Sequence, residues 1–274
     1  MSTDPYKPPG SDLEDKTHEE VDLAFQPPRN VGVMRGLQWY KEGFRYFAKS
    51  PGTWILITIL FILLLVLVSL IPMPSQQFTL GNILDSFFLA GLMSGLYALD
   101  KTGKFSVDYL FAAFKHPMRG QLLIVGLISF LMYGIVSYIL LNDALVEFQQ
   151  VTQQSTDGHP NQATIEETMQ AAKTFYVAVF KTSLLTLPVM MLFWFTAPLI
   201  ILHHVPAVQA MKLSFLGCFY NTPAFIVYIL VGGLLAIFAT LLLGLGWFVL
   251  LPVIVASQYV AWKDIFTPYK SSST

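Results

Sequence analysis

GTWILITILFILLLVLVSLI, residues Gly52 to Ile71, contains no charged side chain. A helix rising about 1.5 Å per residue needs roughly twenty residues to cross about 30 Å of hydrocarbon, and this run supplies them. Its length and uniform apolarity predict a membrane span rather than the buried helix of a soluble domain. The composition agrees: of 274 residues, 54% are hydrophobic and 12% charged, whereas a soluble domain carries about 25% charged residues. Outward from this stretch, further apolar runs at about 79–99, 121–141, 176–202, 223–243 and 247–262 bring the expected number of spans to six. The last two come from forty consecutive uncharged residues, Pro223 to Trp262. As one helix these would measure about 60 Å, so the GLG at Gly244–Gly246 is the predicted turn. The expected fold is all-α, a single polytopic membrane domain over residues 31–266.

The flanks read differently. Residues 1–30 combine Pro5, Pro8, Pro9, Pro27 and Pro28 with Asp12, Glu14, Asp15, Glu19 and Glu20, a mixture with too little apolar surface to order itself. They are expected to form a disordered acidic cytoplasmic tail, and residues 267–274 a cytoplasmic C-terminal tail. The opening residues lack the basic and apolar regions of a signal peptide, which leaves the first span as the insertion signal. The lone cysteine, Cys218, excludes an intrachain disulfide.

Three shorter segments carry amphipathic spacing. In Arg35–Ser50, Leu37, Tyr40, Phe44 and Phe47 form an apolar stripe opposite Arg35, Gln38, Lys41, Arg45 and Lys49, which suits an anionic headgroup layer. Val107, Leu110, Phe111 and Phe114 form a second stripe, and Ala207, Met211, Phe215 and Phe219 a third. Each segment ends in a Phe and then a Pro (FAKSP at 47–51, FKHP at 114–117, FYNTP at 219–223) before a pair of spans begins. The expectation is therefore three helical hairpins of one orientation, each preceded by an amphipathic helix on the same face. Fourteen of the sixteen Lys and Arg residues fall on that face, and only Lys173 and Lys181 on the other. The positive-inside rule then makes both termini cytoplasmic and residues 142–175 periplasmic.

The stretches RGLQWYKEGFRYFAKSPGTW (Arg35–Trp54), APLIILHH with AMKLSFLGCFYNTPAF (Ala197–Phe225) and GLGWFVLLPVIVASQYVAWKDIF (Gly244–Phe266) give the chain a layout that resembles uncharacterised six-span inner-membrane proteins of bacteria. It is similar in organisation to YciC-like proteins and to the membrane domain that accompanies some glycerophosphodiester phosphodiesterases. The resemblance covers Arg35–Phe266 and implies a bacterial inner-membrane address and a topology. It lends no catalytic residue.

Charges within spans are costly and hence informative. Asp85 and Lys181 lie at similar depth near the outer ends of the second and fourth spans. They form a candidate intramembrane polar site, read either as an ion pair or as a capping carboxylate and a snorkelling lysine. Gly91 and Gly95, with Ala90, Ser94 and Ala98, form a small-residue face for close helix packing or for a dimer seam. His116, His203, His204 and Cys218 lack metal-ligand spacing, so no metal is expected. Pro188, Pro198 and Pro252 predict kinks, either packed or opened around a substrate. GxGxxG, GxxxxGK[ST], HExxH and GxSxG are all absent. No catalytic residue, cofactor or nucleic-acid partner is therefore expected. The expected role is that of a non-enzymatic membrane component acting through membrane lipids, a membrane-protein partner or a homo-oligomer. The alternative is a small-solute or lipid transporter that uses Asp85 and Lys181.

Overall fold

A computed structural model describes residues 25–71, 80–157 and 162–268; the side chains of 155–157 and 162–164 are outside this description. The expected tail up to residue 24, the PMPSQQF turn and the DGHPN break accordingly lie wholly or mostly outside the described residues. Among the described residues every regular element is helical. Six segments are long and apolar enough to cross a membrane: Pro51–Ser69, Gly81–Thr102, Arg119–Gln154, Ile165–His203, Thr222–Leu241 and Trp247–Phe266.

Helix α1 (Arg35–Lys49) leads through Pro51 into α2 (Pro51–Ser69), with the proline in the first turn, where its missing N–H costs nothing. Helix α3 (Gly81–Thr102) ends at Gly103, whose φ of 71° suits glycine. A 3-10 helix (Val107–Lys115) follows, then α4 (Arg119–Asp157) and α5 (Gln162–Phe193). Short α6 (Thr196–His203) and α7 (Ala207–Tyr220) precede α8 (Thr222–Leu241) and α9 (Trp247–Phe266). The chain turns between α8 and α9 through 242–246, with Leu243 at φ 56° and Gly244 at φ 80°.

Helix α4 extends well beyond the expected 121–141, and α5 starts well before the expected 176 but breaks off at Phe193. At 39 residues α4 is about 58 Å long, and Phe148 of α4 stacks on Phe175 of α5 at 5.0 Å. Much of the connection at 142–175 is thus a continuation of the two spanning helices.

Helix α1 docks on α8 and α9 through only half of the predicted stripe, Tyr40 and Phe47. Its buried residues are Gly36, Trp39, Tyr40, Gly43 and Phe47, while Leu37 and Phe44 stay exposed. The glycines decide the face. A Cβ at Gly36 would collide with the Ala224 carbonyl, and one at Gly43 would lie 2.8 Å from the Ser257 nitrogen and the Val253 oxygen. Only bare backbone permits that approach, and it brings Tyr40 onto Tyr228 at 4.4 Å. The other two segments behave alike: Phe111 and Phe219 are exposed, while Leu110 and Ala113, and Ala207, Ala210 and Ser214, turn inward.

The largest fully buried side chains, including Trp39, Trp54, Phe195, Tyr259, Trp262 and Phe266, gather where α1, the start of α2, α6 and α9 pack together. We call this the elbow end. Residues 25–31, most of which the sequence assigns to the tail, are held there: Gln26 and Arg29 donate backbone N–H groups to Phe266 and Ile265. Buried Asn221 accepts from the Val31 N–H (2.7 Å) and donates to the Arg29 carbonyl (2.9 Å). Helices α2 and α8, in contrast, expose bands such as Leu56, Ile59, Leu63 and Ile229, Leu234, Ile237. Water would not tolerate an apolar surface of this extent, whereas lipid matches it.

Candidate functional site

Behind the packed elbow end the spanning helices part around a cavity of about 370 Å³, walled by α2, α3, α4, α5, α6 and α9. Trp54, Phe61, Phe88, Leu92, Val125, Phe193 and Val255 give it an apolar interior. Asn82, Asp85 and Ser86 of α3, with Ser129 and Tyr133 of α4, gather polar groups toward the far end, and Gln258 of α9 adds an amide. Helices α3 and α4 meet beside it because Gly126 lets Ile83 approach; a Cβ at Gly126 would lie 2.9 Å from the Ile83 Cα. Ser129 spends its hydroxyl there, donating toward the Gly126 (2.9 Å) and Asn82 (3.3 Å) carbonyls.

The cavity also borders a break in a spanning helix. The sequence predicts kinks at Pro188 and Pro198. Helix α5 runs through Pro188 to Phe193, and the break falls at Trp194–Phe195. Three side chains satisfy the freed backbone. The Ser214 hydroxyl accepts from the Phe195 N–H (2.9 Å) and donates to the Met191 carbonyl (2.7 Å), standing in for one helical bond. Thr196 donates to the Leu192 carbonyl (2.7 Å). Pro198 has no N–H to offer the Trp194 carbonyl four residues earlier, and Gln258 Nε2 donates to that oxygen instead. Unpaired backbone groups are untenable at membrane depth, which gives Ser214 and Gln258 a structural purpose.

A second polar assembly ties the elbow end together. Asp100 at the end of α3 accepts from the Tyr46 hydroxyl of α1 (2.5 Å), and from the Tyr259 hydroxyl (3.2 Å) and Lys263 ammonium (2.5 Å) of α9. Burial first, then the neighbouring Asp100 carboxylate, pushes the Tyr46 phenol above its ordinary value and keeps it a donor. Asp264 accepts from Arg35 Nε (2.6 Å) and Trp39 Nε1 (2.7 Å), and Arg35 also reaches Glu42 at 3.1 Å.

The predicted site residues fall in separate places. Asp85 lines the cavity with its side chain exposed; Lys181 is also exposed, on α5, and forms no part of that lining. No ion pair joins them among the described residues. The small-residue face is taken up within the chain: a Cβ at Gly91 would strike the Tyr109 carbonyl, and one at Gly95 would lie 2.7 Å from the Phe105 ring. Ala90 is buried there, Ser94 and Ala98 half-buried, so a second chain at this face would have to displace the 3-10 helix. The rings of His116 and His204 lie 5.5 Å apart. Burial, and then the charge of His204, holds His116 below the usual imidazole value. Cys218 is buried, and among the described residues no three His, Cys, Asp or Glu side chains converge as a metal site would require.

Sequence reasoning missed Gln258, Ser214, Asp100 and Asp264. Gln258 had a signal, being an amide in an otherwise apolar run. The other three lie at or beyond span ends, where polar residues are ordinary.

The chain is 25% identical over 237 residues to a probable inner membrane protein of Burkholderia thailandensis, an alignment that takes in 84% of this chain and 82% of that one. No protein-family model and no solved structure matches the chain. With six membrane-capable helices, the protein is a multi-pass helical membrane protein.

Proposed function

We propose that the protein is a non-enzymatic component of a bacterial inner membrane that holds one amphiphilic membrane molecule, a lipid or a lipid-derived chain, in the cleft between α2, α3, α4 and α9. The carrying observation is the cavity itself: apolar walls, polar groups gathered at one end, and a volume of about 370 Å³ within the range of small-molecule sites. Its lining holds one carboxylate, Asp85, and no His, Cys, Lys or Arg, so it has no imidazole, thiol or amine for covalent chemistry. The inner-membrane address rests on the relative's name and on the resemblance in layout.

In this reading the elbow end faces the cytoplasm, with Lys41, Arg45, Lys49, Lys104, Lys115, Arg119 and Lys263 near the anionic leaflet, and the ends of α4 and α5 reach into the periplasm. The outer side of α1, with exposed Leu37 and Phe44 beside Lys41, Arg45 and Lys49, suits the headgroup layer. The three segment-and-hairpin units share this orientation. One observation favours transport as a second reading: the α5/α6 break opens beside the cavity, as discontinuous helices do around transported ligands. Lys181 has no part in that version.

Native mass spectrometry of the purified protein tests the proposal. One stoichiometric amphiphile adduct is expected, and Ser86→Trp, which fills the cavity from its lining, should abolish it without loss of fold. A wild-type protein that retains no amphiphile refutes the reading.

A further inference from the structure

Two half-buried carboxylates near the ends of spanning helices, Asp100 and Asp264, are heavily engaged. Asp100 takes three donors, and Asp264 takes Arg35 and Trp39. Asp85 differs. It sits one turn into α3, lines the cavity with its side chain exposed, and has neither an ion-pair nor a hydrogen-bond partner among the described residues. A charge at membrane depth without a partner is expensive, and this chain satisfies comparable groups elsewhere.

We infer that the cleft takes an amphiphile with an ammonium head, and that Asp85 is its counter-charge. This inference rests on the reading of the cleft as a binding site and adds the chemistry of the occupant. Asn82, Ser86 and Tyr133 line the same end of the cavity and offer amide, hydroxyl and phenol groups to the ammonium hydrogens or to a neighbouring polar atom. An anionic head would meet like charge, and a neutral head would leave the carboxylate unmatched. Beyond this polar end the lining is aromatic and aliphatic, suited to a hydrocarbon chain. A volume near 370 Å³ lies at the small end of ligand cavities, so it accepts one chain rather than a whole two-chain lipid.

The ammonium can belong to a single-chain amine or to an aminophospholipid head, and the test separates them. Full-length protein in a mild maltoside detergent at pH 7.5 is titrated with dodecylamine, dodecanol and dodecanoate, and retained adducts are counted by native mass spectrometry. Dodecylamine is expected to half-saturate at about one-tenth the dodecanol concentration, the scale of one hydrogen-bonded charge, with dodecanoate weakest. Asp85→Asn should bring dodecylamine to the dodecanol level and leave dodecanol unchanged, while Asp85→Glu keeps the preference. Short-chain phosphatidylethanolamine retained better than phosphatidylglycerol, with the difference lost in Asp85→Asn, would make the lipid head the source. Equal retention of those two lipids alongside an amine preference would make it a single-chain amine. Equal retention of dodecylamine and dodecanol, or an amine preference that survives in Asp85→Asn, overturns the inference but leaves the cleft a binding site. Failure to retain any amphiphile, or equal retention by Ser86→Trp, overturns both.

Discussion

Replacing Gln258 by leucine keeps most of the side-chain volume and removes one donor, the amide that serves the Trp194 carbonyl. That oxygen has no local substitute, because the residue four places on is Pro198. An unmet buried carbonyl costs about 1–3 kcal/mol. Taking about 2 kcal/mol, and about 2–4 °C per kcal/mol for a chain of this size, the unfolding midpoint should fall by roughly 4–8 °C. The decisive comparison pairs this change with Pro198→Ala, which returns an N–H four residues beyond Trp194. In that background Gln258→Leu should cost less than about 0.5 kcal/mol, the usual error of additivity. The protein carries its own reporter. Cys218 is its single cysteine, 3% exposed, and burial pushes its thiol above the ordinary value, so a thiol-reactive dye stays dark until the fold opens. Midpoints compared at one scan rate serve even where unfolding is irreversible. If Gln258→Leu lowers the midpoint equally in both backgrounds, Gln258 does not replace the bond that Pro198 withholds, and the account of the break fails.

The midpoints of the substitutions that follow are read with the same dye, and the pH profile by intrinsic tryptophan fluorescence. Asp264→Ala strands the Trp39 indole N–H and leaves Arg35 only Glu42 and Gln38; with the lost acceptor's side chain only 17% exposed, the cost should be about 2–3 kcal/mol, and an unchanged midpoint would remove Asp264 from the docking of α1. Gly91→Leu drives a side chain into the Tyr109 carbonyl and should shift the protein to aggregate on size exclusion, whereas Gly120→Ala, with nothing within 4 Å, should hold or slightly raise the midpoint. His116 lies below the ordinary imidazole value in the fold, so the unfolded chain binds its proton more readily. Stability should therefore decline as pH falls through about 6.5 and level off below the folded value. His116→Asn should flatten that part of the pH profile, and a slope that persists would place the titrating group elsewhere.

What the sequence discloses here is set by which interactions are local. A charge-free run such as Gly52–Ile71 declares a span by itself, and the turn at Gly244 follows from length alone. The face that α1 buries does not. Leu37 and Phe44 fit a 3.6-residue stripe as well as Trp39 does, and the choice fell to Gly36 and Gly43, which matter only because Ala224, Val253 and Ser257 come close. Depth was legible for Asp85 and Lys181, but the direction each faces around its helix was not, and two residues at one level on different sides of a bundle do not meet. The position of the helix break was hidden for a similar reason: Pro198 announces a missing bond, while the side chains that fix the break, Ser214 and Gln258, lie 16 and 60 positions later. These remote partners concentrate at the elbow end and around the break, where they answer the buried polar groups of Asp100, Asp264 and the α5/α6 backbone. Asp85 lies on the other side of the cavity, where no such partner arrives. A sequence able to place Gln258 on one carbonyl across sixty residues leaves that carboxylate open to whatever enters the cleft, and the cleft is where the physical case for function is strongest.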